Sequence, residues 1–456
     1  MRYYGNGKLK MTEFEFRCEW LVSGNDAPEY RQTMAMLELH VDKMNLMKNQ
    51  DIWSKTIRES VLVSAYPLSM WLSSSWWRLI WEPLPKGPSP SVDWRMAHEL
   101  GAADHGFVWP QIIFASDGEA MQVWALPMDE GEDQSVRYLN GIDSPAYIKL
   151  SDFKRGVEDF ITVVIDRLSA SSCSNTELSE LWKIIQEERS NPEDVKYRRI
   201  EAEMGYEPDE CPDELMNKAM ELDKKMGTAA LSELAPIYGK SASQAPLKAI
   251  DEIAESPGLI GEPLVRPISI DAFTQSGLPW QRAVVAVGEL RQKLGNPDHM
   301  IDNARLNELL GLRPQDVDSW SPSKRNDAAI AVPQNRNQFK FIPRKKHPIA
   351  KRFELARLLG DYILIEQQNG QWLTSTDLST SRQKFQRAFA AEFLCPIIKL
   401  REFLQDDYSE SAIEDAADHF QVSQRTVESM LVNNRLLPPH YLAGYTETRI
   451  PYQLGF

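Results

Sequence analysis

The chain has 456 residues, 42% apolar and 26% charged, with 28 Pro and 23 Gly; this excludes a disordered chain and leaves room for two to four cored domains. A formal charge of −15 excludes a general nucleic-acid binder, whose phosphate contacts need a clustered positive surface, although a local basic face is compatible with it. Cys18, Cys173, Cys211 and Cys395 are far apart with no C-x-x-C pair, which excludes a disulfide framework and a thiolate zinc site.

"MRYYGNGKLKMTEFEF" lacks the apolar core of a signal peptide, and no run reaches about 18 apolar residues. A cytoplasmic protein with no membrane partner is expected. Nine of the thirteen Trp precede residue 125, so the first 150 residues carry a core of unusual aromatic content. "EFEFRCEWLV" alternates as a half-buried strand does, and "QIIFASDGEAMQVWALPM" puts S-D-G-E between two β-rich runs, a hairpin signal. "APEYRQTMAMLELHVDKMNLM" between them is read as a helix. "SMWLSSSWWRLIWEPLP" alone holds Trp71, Trp76, Trp77 and Trp81, and with "WWRLIWEPLP" taken as a strand, neighbouring Trp76 and Trp77 must point to opposite faces. One of these rings must then face another domain, a partner or water, and an interface that includes Trp81 is the expectation.

From 151 to 240 the apolar spacing turns helical. Ser151 is the expected N-cap, followed by Phe153, Val157, Phe160, Ile161, Val164 and Leu168. The charged "NPEDVKYRRIEAEMGYEPDECPDE" is expected to be a solvated helix and turn, and residues 241–279, rich in Pro, Gly and Ser, a linker or an extended packed segment. Beyond it, "LPWQRAVVAVGELRQKLG" predicts a helix between Pro279 and Gly295, "NARLNELLGL" a second, and "AIAVPQNRNQFKFIPR" two strands about a polar turn. "FELARLLGDYIL" has the helical stripe Phe353, Leu355, Ala356, Leu359 and Ile363. "SRQKFQRAFAAEFLCPIIKLREFL" follows. "SAIEDAADHFQVSQRTVESMLVNNRLL" then has a helix-turn-helix pattern, with Ala416, Ala417, Phe420, Val422, Val427 and Leu431 apolar.

In this order the pieces resemble the ImmA/IrrE metallopeptidase family over roughly 278–440. "RFELARLLGD" stands where the family has basic-Phe-x-Leu-Ala-His-Glu-x-Gly-His. "FAAEFLCP" stands where it has Phe-Ala-x-Glu-x-Leu-x-Pro, and "FQVSQRTVESML" where it has its Val-Ser helix pair. The resemblance implies a small α+β domain with zinc held by two His one helical turn apart and a downstream Glu, the Glu between the two His activating water. Carried onto this chain, the first ligand position is Arg357, the general-base position Leu358, the second ligand Asp361 and the third Glu392. A guanidinium does not ligate zinc and a leucine takes no proton, so no catalytic residue, no metal and no cofactor are expected. Two carboxylates left without their metal need a replacement cation, and the expectation is a polar cluster of Arg357, Asp361 and Glu392.

Three other stretches bear on function. "MAHELGAADHG" imitates the family motif, but the second His falls at Ala102, and His105 is about two turns, ~10 Å, from His98. His98, Glu99, Asp104 and His105 are therefore expected to be core or surface residues. "RNQFKFIPRKKHPIAKRFELAR" is the one basic stretch, and Lys345, Lys346 and Arg352 are its candidate binding residues for a phosphate backbone or an acidic partner. The would-be recognition helix offers only Gln424, Arg425, Asn433 and Asn434 beside Glu428, so a structural role is favoured over DNA reading.

The expectation is an α+β multidomain protein: a Trp-rich α+β domain over 1–150, a helical domain over 151–240, the segment 241–279, and a degenerate ImmA/IrrE-like domain over 280–456. Its expected role is that of a non-catalytic sensor, scaffold or regulatory protein with a protein partner, and with nucleic acid reached through the basic stretch or a complex. The resemblance implies mobile-element regulation, stress response or phage defence in bacteria. The alternatives are an active endopeptidase with unusual ligands and a DNA-binding regulator.

Overall fold

The computed structural model describes residues 13–438 other than 22, 25, 88, 130–133, 241–246, 266–276, 296–299, 336 and 365–371, together with Tyr441. The chain is mixed α and β and divides into two compact units, Met1–Leu84 with Pro90–Cys211, and Pro85–Ser89 with Pro212–Phe456.

In the first unit the elements run β1 (Phe14–Trp20), α1 (Pro28–Gln32), β2 (Met34–Val41), β3 (Met44–Asn45), β4 (Asn49–Asp51), β5 (Thr56–Arg58), β6 (Val61–Ser64), α2 (Ala65–Ser74), α3 (Trp76–Trp81), α4 (Val92–His98), β7 (Gln111–Ser116), β8 (Ala120–Leu126), β9 (Val136–Tyr138), β10 (Ile142–Lys149), α5 (Leu150–Ala170), α6 (Glu177–Ser190) and α7 (Pro192–Glu203). Three small sheets result: β1, β3 and β6 all pair with β2, β8 lies between β7 and β10, and β4 lies between β5 and β9. The β7–β8 hairpin turns at Gly118, whose φ of +94° suits glycine. "MAMLELHV" is a strand rather than part of a helix. Its alternate residues Ala35, Leu37, Leu39 and Val41 are buried while the others are half-exposed, a period-2 pattern that overrides the helix-forming Met and Leu content.

All six apolar residues expected along α5 are buried, although the helix begins at Leu150, with Lys149 rather than Ser151 at the cap position. Gly156 lets α5 lie on β1, because a Cβ there would come within 2.6 Å of the Phe14 ring. That packing joins α5–α7 to the strands, so the division falls at Cys211–Pro212 and not at 150 or 240. α7 is also drier than expected: Ile200, Glu201, Ala202 and Glu203 are buried, with Arg198 bonded to Glu188, Glu201 and Asp209.

The second unit runs α8 (Asp213–Met226), α9 (Thr228–Tyr238), α10 (Lys248–Glu255), β11 (Leu259–Gly261), α11 (Pro279–Lys293), α12 (Asn303–Leu309), α13 (Pro314–Ser319), β12 (Ala329–Pro333), β13 (Phe339–Ile342), α14 (Pro348–Tyr362), β14 (Leu373–Ser375), α15 (Ser381–Leu394), α16 (Ile397–Leu404), α17 (Glu410–Phe420) and α18 (Gln424–Asn433). Its antiparallel sheet has the order β11-β13-β12-β14. Part of 241–279 is thus a packed segment, since β11 pairs with β13. Phe341, Leu355, Leu359, Phe389, Phe393 and Leu431 belong to its single core. No helix among the described residues is long and apolar enough to cross a membrane.

Candidate functional site

The site is built where α14 meets α15 and β14. Pro348 occupies the first turn of α14, where its missing N–H is harmless, and Thr380 caps α15 by accepting from the Gln383 amide at 3.2 Å. The two helices approach closely at Gly360, where an added Cβ would come within 2.6 Å of the Phe389 ring. Arg382, Gln383 and Gln386 on the early turns of α15 are polar, while Phe385, Phe389 and Phe393 recur every four residues as an aromatic stripe, so a hydrogen-bonded network lies beside core at the crossing.

Asp361 is enclosed in that network. Arg382 grips it with both arms, Nε to Oδ1 at 2.8 Å and Nη2 to Oδ2 at 2.6 Å, and the Thr374 amide donates to Oδ2 at 2.9 Å. Arg357, one turn back on α14, donates from Nη2 to the Thr376 carbonyl and to Gln383 Oε1, each at 2.5 Å. The same Gln383 oxygen accepts from the Thr376 amide at 2.9 Å. A second carboxylate enters from α9: Glu233, fully buried, accepts from Thr380 Oγ1 at 2.7 Å. Burial raises its pKa, while Arg382, Thr380 and Gln383 pull the other way. Arg382 Nη1 also donates to the Ala229 carbonyl, so this guanidinium ties α9, α14 and α15 together.

The expected cluster of Arg357, Asp361 and Glu392 is therefore corrected. The cation that balances Asp361 is Arg382, and no ion pair joins Arg357 to Asp361 or Glu392. Glu392 lies ten residues beyond Arg382 on α15, about 15 Å of helical rise, which explains its separation. It accepts from the Ile397 amide at 3.3 Å. Burial pushes its carboxyl up to about 7, against the opposing pull of that amide and Arg291. Leu358 is fully buried core. Zinc, which the resemblance implies, does not fit these residues: the first ligand position is a guanidinium, and both oxygens of the second are bonded to Arg382. Among the described residues no three His, Cys, Asp or Glu are placed to hold a metal ion.

The basic stretch is used mostly inside the fold. Arg352 is buried, donating to the Asn303 side chain at 3.0 Å and to the carbonyls of Ile301 and Gln421, and burial pushes its pKa down to about 10. It joins α12 and α17 to α14 and is not a surface binding residue. Arg344 is bonded to Glu354 and Asp377, and Lys351 donates to the Val317 carbonyl. Lys346 is exposed and Lys345 half-exposed, while Arg336 lies outside the described residues.

The tryptophans are corrected too. Trp76 and Trp77 lie on the helix α3, not on a strand, and are only 2% and 4% exposed; a helix surrounded by core buries neighbouring residues that a strand would separate. Trp76 packs edge-on against Trp182, with Arg189 over its face, and Trp77 Nε1 donates to Glu188 at 2.9 Å. Trp81 is half-buried between Lys154 and Arg199. His98 is buried, stacked on Trp94, with Nδ1 2.9 Å from the Phe114 carbonyl and Nε2 3.0 Å from Glu82; His105 stacks on Tyr30. The α17–α18 pair buries all six expected apolar residues, yet α17 exposes Glu410, Glu414, Asp415 and Asp418, charges that a phosphate backbone repels.

Sequence reasoning missed Arg382, Gln383 and Glu233. Glu233 had a readable signal, being the lone charge inside the apolar run "TAALSELAPIY", where burial forces a partner. Arg382 had none, because "TSRQKFQ" reads as an ordinary exposed first turn. In comparisons with known proteins, no family model, curated protein or solved structure matches the chain.

Proposed function

We propose that the second unit is a silenced metallopeptidase-like module, a non-catalytic regulatory, sensor or scaffold element that works through a protein partner. The observation that carries this is the two-armed bond from Arg382 to Asp361. It places a permanent cation at the second ligand position of the resembled ImmA/IrrE motif, while Arg357 and Leu358 fill the first ligand and general-base positions. Retained shape without a ligand set suits gripping a chain rather than cutting it, and the resemblance points to regulation of mobile elements, stress response or phage defence. The acidic outer face of α17 supports a protein partner over DNA.

The test is elemental analysis of the purified full chain together with a peptidase assay on an unfolded protein substrate. The expected result is no stoichiometric transition metal and no cleavage above background, with or without added zinc. Stoichiometric zinc whose removal by chelator abolishes cleavage would overturn the proposal in favour of an active endopeptidase.

A further inference from the structure

Three guanidinium groups and an ammonium converge on three consecutive residues in the second unit. Arg357 donates to the Thr376 carbonyl, Arg344 to Asp377 Oδ1 at 2.5 Å and Arg387 to the Leu378 carbonyl at 2.9 Å. Lys86 Nζ reaches Asp377 Oδ2 at 2.9 Å. The neighbouring carboxylates are already committed. Glu354 accepts from Arg344 Nε and from the amides of Arg344 and Lys345, and Asp377 is shared by Arg344 and Lys86. Although burial opposes it, those two cations hold the Asp377 carboxyl well below the usual carboxylate range.

Arg357 is left over. It is 5% exposed, makes no ion pair with any described carboxylate, and its Nε–H has no acceptor. Burial first, then Arg387 and Arg344, push its pKa down to about 9 against the weaker pull of Glu354 and Asp377, whose oxygens are bonded to other groups, so it is still a cation at neutral pH. A buried charge without a counter-charge is costly and persists where something else pairs with it. The Thr374 hydroxyl, two residues before Thr376 and so on the same face of the chain, is also buried without a partner.

We propose that the Thr376–Leu378 loop is an oxyanion-binding site, which takes the phosphate or carboxylate group of a ligand as the counter-ion of Arg357. Lys86, exposed, and Arg387, half-buried, stand at its rim. Planar guanidinium forks match the oxygen spacing of both groups. The inference does not rest on the silent-peptidase proposal: although Arg357 stands at a position of the resembled motif, it is used here only as a buried cation with an unpartnered Nε–H.

The experiment is thermal melting and calorimetric titration of the full chain with inorganic phosphate in one arm and acetate in the other, each against sodium chloride at matched ionic strength. A saturable rise in melting temperature beyond chloride is expected in at least one arm, and the arm in which it occurs identifies the source of the oxyanion. Arg357→Gln abolishes the rise. Lys86→Gln, an exposed change that leaves the fold intact, weakens the apparent affinity about fivefold and decides the matter if Arg357→Gln does not fold. No saturable rise in either arm, or a rise that Lys86→Gln leaves unchanged, overturns the proposal.

Discussion

A carboxyl group that is mostly buried and given one backbone amide is pushed towards its neutral form, and Glu392 is in that position. In the fold it keeps its proton up to about pH 7, whereas its ordinary value is 4.5. Below pH 4.5 both folded and unfolded chains hold the proton and the group is indifferent. Between 4.5 and 7 only the unfolded chain releases it, so stability falls by about 1.4 kcal/mol per pH unit, reaching a deficit of about 3 kcal/mol above 7. Glu392→Gln removes that deficit. Its melting temperature should exceed that of the parent at pH 8 and match it near pH 4, in a pair of scanning calorimetry runs. An equal shift at both pH values would mean that Glu392 is ionised in the fold. The residue that alone keeps the resembled family's type at a ligand position is thus a destabilising group at neutral pH, a cost that an unoccupied role in catalysis does not explain and that proximity to the α15–α16 turn does.

The helices carry the same lesson about context. The crossing of α14 and α15 depends on the missing side chain at Gly360, since a methyl group there would come within 2.6 Å of Phe389. Gly360→Ala improves helix propensity by about 1 kcal/mol but overpacks the crossing by about 1–3 kcal/mol, so a net loss is expected in urea unfolding. Phe389→Leu should recover part of it in the double variant; additive losses would place the strain elsewhere. What could be read from the sequence follows from how local each signal was. The β7–β8 hairpin, α11 between Pro279 and Gly295, the paired strands β12 and β13, and the α17–α18 pair all carry their own period and end signals, and all form as expected. β2 and α3 were misread because short apolar runs of Met, Leu and Trp satisfy either period, and only the sheet or core around them decides. At the site, the sequence showed that Arg357, Leu358 and Asp361 depart from a metal-binding helix. It could not show that Arg382, 21 positions on, supplies the balancing charge, because that pairing is set by how two helices cross.

At the scale of the whole molecule, burial removes charges of both signs from the surface. Among the described residues Arg78, Arg291, Arg344, Lys351, Arg352 and Arg357 are buried, but so are Glu82, Asp117, Glu201, Glu203, Asp223, Glu233, Glu354, Asp361 and Glu392, so the net charge of −15 leaves an acidic outside that repels a phosphate backbone. Each unit has an internal guanidinium bonded to carboxylates of its own unit. Arg78 is bonded to Glu82, Asp93 and Glu207 in the first, and Arg382 to Asp361 beside Glu233 in the second. Removing Arg382 strands the buried Asp361 and Glu233 and costs about 3–5 kcal/mol, and removing Arg78 strands the buried Glu82 while Asp93 and Glu207 remain in reach of water. Because each unit has its own core, the damage should stay within the unit that suffers it. Hydrogen exchange read by mass spectrometry should find Arg382→Met losing protection in α9, α14 and α15 with the strands β1, β2, β7 and β8 unchanged, and Arg78→Met doing the reverse. Adding Asp361→Asn to Arg382→Met should restore part of the lost protection, since the amide carries no charge to strand. If either single variant loosens both units alike, the two cores share one cooperative transition, and the division at Cys211–Pro212 is not an energetic one.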